Sequence, residues 1–203
     1  MLVNINGTIL PPEKATISIF DRGFLFGDSV YEVARTYDGI PFLLSEHLQR
    51  LEKSADILGL PLTYPLECLK TEIYKSLSCF WETSNSQAYI RLIVTRGEGD
   101  LSLAADSNMK NNFIIIVRAQ EPNPTEWYSK GVSFIIADNM KTPKQTIDPN
   151  CKSGNHLPHV MALHQAKAEG AFDAIMLNQQ GFVTEGTSNN IWIVKDGHIT
   201  TPP

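Results

Sequence analysis

Pro122 and Pro124, in the string Glu121-Pro122-Asn123-Pro124, make the strongest break in regular structure along this chain. Each proline fixes its own φ, removes a backbone donor and pushes the preceding residue out of helical geometry, so neither a helix nor a central strand can run through. The chain is therefore expected to fold as two domains, an α/β domain over residues 1–120 and a second over 128–203, joined by a linker over 121–127. With 203 residues and 42% apolar content, each half can bury a modest core.

Before the linker, Leu2–Ile5 and Thr8–Leu10 flank Asn6-Gly7, a dipeptide that suits a type I′ hairpin. A helix capped by Ser45 places Leu48, Leu51, Ala55 and Leu58 on one face and stops at Gly59, and Leu66 to Phe80 repeats the pattern. Tyr89 to Thr95 and Phe113 to Val117 read as buried strands. Beyond the linker come strand Val132 to Ala137, helix Leu157 to Glu169 stopped by Gly170, and strands Ala174 to Leu177 and Asn190 to Val194. The fold class is α+β.

Net charge is −5 and no basic stripe appears, which disfavours a nucleic-acid partner. No apolar stretch approaches about 18 residues and no positively charged region precedes an apolar run at the N-terminus, so neither a membrane span nor a secretion signal is expected and the default location is cytoplasmic. Cys68, Cys79 and Cys151 are odd in number without CxxC spacing, which argues against a disulfide framework and a zinc site. No metal is implied, and Cys151 is assigned no role.

The segment from Asp148 to Val194 carries the chemistry. Lys152, followed by Ser153-Gly154, leads into a helix, a strand, the Gly181 turn, a second short strand and then Glu185 with small polar residues after it. A lysine amine becomes a nucleophile towards carbonyls when its surroundings lower its pKa. An electron-sink cofactor built on a pyridine ring needs such an amine at its aldehyde and a carboxylate at its ring nitrogen. Lys152 and Glu185 could fill those posts and frame one pocket; read alone, they are far more readily a solvated loop lysine and a helix or turn cap.

Four ordered blocks decide between these readings. Phe20-Asp21-Arg22-Gly23-Phe24-Leu25-Phe26-Gly27-Asp28-Ser29-Val30-Tyr31-Glu32, Glu46-His47-Leu48-Gln49-Arg50-Leu51, Ala88-Tyr89-Ile90-Arg91, and Lys152 through Glu185 to Asn190 occur in order. Together they make the chain, from Asn6 to Pro203, resemble the fold-type IV pyridoxal-phosphate enzymes, which include branched-chain aminotransferases, D-amino-acid aminotransferases and aminodeoxychorismate lyases. The resemblance implies a two-domain fold with a barrel-like C-terminal domain, pyridoxal 5′-phosphate as cofactor, and a homodimer.

By that resemblance Lys152 forms the imine with the cofactor and then shuttles a proton between the substrate Cα and the cofactor, while Glu185 keeps the ring nitrogen protonated. Arg50 binds the phosphate through its planar fork; without the resemblance it would read equally as a solvated arginine paired with Glu46. His47 reads as a packing or capping residue. Thr187 and Ser188 face the phosphate and substrate with hydroxyls and amides. His156 stands where many branched-chain enzymes carry a tyrosine on the cofactor's ring hydroxyl; its imidazole could donate there or point away.

Substrate contacts are implied for Phe26, Tyr31, Arg35, Tyr89 and Arg91. The D-amino-acid enzymes carry an arginine and a histidine in the loop after the Thr95-Arg96-Gly97 string, where this chain reads Glu98-Gly99-Asp100-Leu101-Ser102-Leu103. The expected activity is transamination of a branched-chain or similar L-amino acid with 2-oxoglutarate. The alternatives are pyruvate elimination from aminodeoxychorismate, D-amino-acid transamination, and a truncated non-catalytic relative. In the family, Thr200-Thr201-Pro202-Pro203 is followed by dozens more residues carrying two phosphate-gripping loops, so the chain is expected to be a fragment of a longer polypeptide with a truncated second domain.

Overall fold

Residues 1–106 and 108–202 are described by a computed structural model. They divide into two units, one of Met1–Glu121 with the strip Asn150–Gly154, the other of Pro122–Pro149 and the residues from Asn155 on. The division falls between Glu121 and Pro122, at the start of the Pro122-Asn123-Pro124 string, but the strip that carries Lys152 belongs with the first unit although its flanks belong to the second.

In the first unit, β1 (Leu2–Ile5) and β2 (Thr8–Leu10) form the opening hairpin, followed by α1 (Arg22–Phe26), β3 (Ser29–Tyr37), β4 (Ile40–Pro41), α2 (Leu44–Ile57), α3 (Leu66–Trp81), β5 (Ala88–Thr95) and β6 (Asn112–Ala119). The hairpin turn uses Asn6 at φ 52° and Gly7 at φ 90°, the pair of positive values that a type I′ turn demands. The strands form one sheet in the order β2-β1-β6-β5-β3-β4, with antiparallel pairing throughout.

Leu48, Leu51 and Ala55 of α2 and Leu69, Ile73, Leu77 and Phe80 of α3 close onto Val30, Ile90, Leu92, Val94, Ile115 and Val117 of the sheet. Each such large apolar side chain contributes about 1.5–3 kcal/mol by leaving water. α2 starts at Leu44, with Leu43 at its cap in left-handed conformation and no side-chain cap, so Ser45 lies inside the helix instead of opening it. Burial of Leu44, 6% exposed, fixes the first turn by packing where a capping hydroxyl was expected.

β3 was not foreseen as a strand. Its buried residues include Ser29, Glu32 and Thr36 beside Val30, Tyr31 and Ala34, so apolar periodicity does not report its burial. Alternation sends Val30, Glu32, Ala34 and Thr36 to the helix-covered face and Tyr31, Val33, Arg35 and Tyr37 to the other.

In the second unit, α4 (Thr125–Lys130) begins inside the expected linker and is followed by β7 (Phe134–Ile136), α5 (Leu157–Ala168), β8 (Asp173–Leu177), β9 (Val183–Gly186), β10 (Ile193–Lys195) and β11 (His198–Thr200). β7 runs parallel to β8 and β9 antiparallel to it. α5 packs its Ala162 and Ala166 with Ala171, Ala174 and Met176, small side chains that let helix and sheet approach closely. β7, β8 and β9 form a three-stranded sheet, and β10 and β11 pair in a hairpin of their own. No helix among the described residues is long and apolar enough to cross a membrane.

Candidate functional site

The candidate residues fall into two groups, one in each unit. In the first, the strip around Lys152 runs along the edge of β3. Tyr31 N donates to Lys152 O at 2.9 Å, Gly154 N donates to Ser29 O at 2.9 Å, and Ser153 bridges Val30 in antiparallel register. Lys152 N donates to Ser54 Oγ at 3.0 Å, which ties the strip to α2 as well. Gly154 is required by close approach: a Cβ there would lie 2.3 Å from Ser29 Oγ and 3.3 Å from Gly27 O.

This pairing brings the Lys152 side chain onto Tyr31. Lys152 Nζ donates to Tyr31 Oη at 3.1 Å and lies 4.4 Å from the ring centroid. Arg91 of β5 pairs with Val33, so it shares the open face with Tyr31, and its guanidinium carbon lies 4.4 Å from the same ring centroid. An amine, a phenol and a guanidinium are thus gathered around one aromatic ring, a set that can handle both a carbonyl and a carboxylate.

The next residue of β3 points the other way. Glu32 is 3% exposed and lines a recess with Ala34, Leu44, Leu48 and Ile73. Burying a lone carboxylate there would be costly. Two residues of α2 compensate: Arg50 donates Nε to Glu32 Oε1 and Nη2 to Oε2, the latter at 2.6 Å, and His47 Nδ1 lies 2.8 Å from Oε2. Burial pushes the Glu32 carboxyl up, but the hydrogen bonds and charges of Arg50 and His47 outweigh it and hold the pKa below the usual carboxylate value. The Glu32 bond in turn raises the Arg50 guanidinium. Neither of the roles expected for His47 nor the pairing of Arg50 with Glu46 describes this clamp.

In the second group, Glu185 of β9 receives Lys141 Nζ at 2.9 Å and His159 Nε2 at 3.1 Å, both on Oε1. Desolvation raises its carboxyl, yet the bonds from His159 and Lys141 lower it further, so it is held ionised. His156, at the cap of α5, sets its ring edge-on to His159 with centroids 5.6 Å apart.

Thr187 and Ser188 follow Glu185 in a short turn. Thr187 Oγ1 donates to Asp173 Oδ1 at 2.6 Å and Asn189 Nδ2 to Asp173 Oδ2 at 2.6 Å. Ser188 is exposed. The expectation that the Thr187 hydroxyl faces a phosphate is thereby altered, because its single proton is already directed at a buried carboxylate.

The remaining substrate-side candidates lie apart from Tyr31. Arg35 is exposed and stacks over Tyr37 at 4.4 Å, Tyr89 carries Arg118 at 4.4 Å, and Phe26 lies under Arg22 at 4.8 Å. Sequence reasoning missed Glu32, Lys141, His159 and Asp173 as partners of the site residues. Glu32 alone carried a signal, a carboxylate between apolar residues of a strand that would need a cation.

The family described as Amino-transferase class IV matches residues 29–203. A putative branched-chain-amino-acid aminotransferase of Methanocaldococcus jannaschii is 37% identical over all of this chain, which covers 68% of that relative. A D-alanine aminotransferase of Bacillus licheniformis is 35% identical, again over all of this chain and 69% of the relative. Among solved structures, the branched-chain aminotransferase of Thermoproteus uzoniensis with norvaline superposes with a TM-score of 0.89 at 26% identity, over all of this chain and 68% of that one. The branched-chain amino acid aminotransferase from Escherichia coli gives a TM-score of 0.87 at 25% identity, over all of this chain and 66% of that one. A family match that runs from the first residue of β3 to the end of the chain, with relatives above 30% identity over its whole length, shows that the chain belongs to the class IV aminotransferases, a family of enzymes.

Proposed function

We propose that the chain carries out pyridoxal-phosphate-dependent transamination of a branched-chain or similar L-amino acid, with 2-oxoglutarate as acceptor. The single observation that carries the reading is the Lys152–Tyr31–Arg91 cluster, in which Nζ and Oη lie 3.1 Å apart and Arg91 stacks on the same ring. The donor set suits the cofactor's charges: an amine for its aldehyde, the ionised Glu185 for a protonated ring nitrogen, and Arg50 with the Thr187-Ser188 amides for its phosphate. Arg50 uses Nε and Nη2 on Glu32, so Nη1 is the edge it offers an anion.

When bound, pyridoxal phosphate supplies an electron sink for the pair left at the substrate Cα. Lys152 Nζ takes the proton from Cα and later returns one, as general base and then acid. Tyr31 Oη holds Nζ in line for that transfer. Arg91 pairs with the substrate carboxylate by a charge-assisted bond. Glu185 keeps the ring nitrogen protonated, with Lys141 and His159 fixing its carboxylate.

The lean to L-amino acids rests on the 98–103 loop, which lacks the arginine and histidine of the D-amino-acid enzymes. A homodimer is part of the reading, supported by the exposed apolar side chains of Ile19, Phe20 and Phe24 on the first unit.

Borohydride reduction of the protein mixed with pyridoxal phosphate, followed by peptide mass mapping, tests the assignment of the amine. The label is expected on Lys152; a label on Lys141, Lys144 or Lys167 would overturn it. Assays with L-isoleucine, D-alanine and aminodeoxychorismate test the substrate class, and turnover of either of the last two in preference to the first would replace the branched-chain reading.

A further inference from the structure

We propose that Asp173 is a positioning residue for the Thr187-Ser188-Asn189 turn, and that this turn meets the cofactor phosphate with backbone amides and Ser188 instead of with the Thr187 hydroxyl. The inference rests on the pyridoxal-phosphate reading above and specifies which atoms of that site serve the anion.

Asp173 opens β8 and is 3% exposed. Its Oδ1 accepts from Thr187 Oγ1 at 2.6 Å and from Ala174 N at 2.7 Å, and its Oδ2 accepts from Asn189 Nδ2 at 2.6 Å. The two arms of one carboxylate thereby hold both ends of the Thr187–Asn189 turn. The turn is closed a second time by Gly186 N, which donates to Asn189 O at 2.9 Å. A Cβ on Gly186 would lie 2.3 Å from Asn189 Oδ1, so a side chain there would displace the amide that reaches Asp173. Asp173 and Gly186 thus fix the path of the chain directly after Glu185.

A hydroxyl has one proton to give. Thr187 directs it to a buried carboxylate, where an O–H···O⁻ bond is among the stronger hydrogen bonds a protein makes. Turning that proton to a phosphate would leave a buried charged acceptor short of a donor, which costs more than the new bond returns. What Thr187 Oγ1 could otherwise show an anion is lone pairs, which repel it. The amides of the turn carry no such commitment in their chemistry, and successive N–H groups in a tight turn make an anion-binding concavity.

The test compares pyridoxal phosphate with pyridoxal, which lacks the phosphate, by equilibrium dialysis against the 203-residue protein. Asp173→Asn should lose affinity for pyridoxal phosphate by about tenfold, the equivalent of one hydrogen bond. Its affinity for pyridoxal should stay within about twofold on the same reasoning. Asn189→Ala, at an exposed residue, removes the same Oδ2 arm from its other end, and should show the same selective loss even if Asp173→Asn fails to fold. Thr187→Val combined with Asp173→Ala should lose no more than Asp173→Ala alone, since that variant already takes the acceptor from the Thr187 hydroxyl; losses that multiply would put the Thr187 hydroxyl on the phosphate and overturn the proposal. Equal losses for pyridoxal phosphate and pyridoxal, or no loss for either, would also overturn it while the cofactor reading stands. A wild-type protein that binds neither compound would bring down the cofactor reading and this inference together.

Discussion

Glu32 and Arg50 form a two-point ion pair between β3 and α2, with His47 on the same carboxylate. Because the folded state holds the Glu32 carboxyl below its ordinary value of 4.5, the clamp contributes stability above that pH and loses it as pH falls through the lowered pKa. Glu32→Gln should destabilise the protein by about 1–3 kcal/mol at pH 7. Urea midpoints measured at pH 7 and in the acid range should converge for wild type and variant as the pH drops. A difference that stays constant with pH would show that the ion pair is not what the carboxylate contributes.

Tyr31→Phe keeps the ring that Lys152 and Arg91 both approach and removes only the hydroxyl that Nζ reaches. Turnover should fall by about tenfold, the worth of one hydrogen bond, with the melting temperature little changed. Steady-state kinetics and calorimetry on the same preparation check both halves of the expectation.

Arg91→Gln should cost about 1.5–3 kcal/mol in kcat/KM, the value of a charged hydrogen bond to a substrate carboxylate, while cofactor affinity is retained. Full catalytic efficiency on every amino acid tried would remove Arg91 from the substrate side.

Gly154→Ala places a methyl 2.3 Å from Ser29 Oγ and 3.3 Å from Gly27 O, so the Ser29 side chain or the strip must shift. Overpacking of this kind costs about 1–3 kcal/mol. Ser29→Ala removes the offending oxygen, so the double variant should recover most of the lost stability in urea denaturation. No recovery would mean that the backbone, and not Ser29, sets the limit.

Glu185→Gln should still bind pyridoxal phosphate yet transaminate poorly, since a neutral amide cannot keep the ring nitrogen protonated. Dialysis and turnover measured side by side would separate the two effects, and unchanged turnover would contradict the role.

The long helices α2, α3 and α5 and the strands β5 and β6 were legible because their apolar residues recur at the period of the element, and the Asn6-Gly7 turn because only such a pair adopts two positive φ values cheaply. β3 was not, since a strand that buries Glu32 and Thr36 beside Val30 and Ala34 shows no apolar alternation. The site followed the same rule. Lys152, Glu185, Arg50 and Arg91 stood out by charge and order, whereas Lys141, His159 and Asp173 are ordinary residues until folding sets them against Glu185 and Thr187. Pairings across the sequence are tertiary facts, and no local pattern encodes them.

The strip Asn150–Gly154 has a practical consequence for anyone dissecting this protein. The polypeptide leaves the second unit after Pro149, lends five residues to the first, and returns at Asn155. A gene cut at the Pro122 string would therefore deliver the amine on one fragment and its phenol, Tyr31, on the other. The halves could regain their chemistry only by strand complementation, with residues 150–154 adding to the edge of β3 from a separate chain. Mixing the two fragments would then read out docking of that strip as recovered activity, which turns an awkward domain boundary into a reporter of edge-strand association.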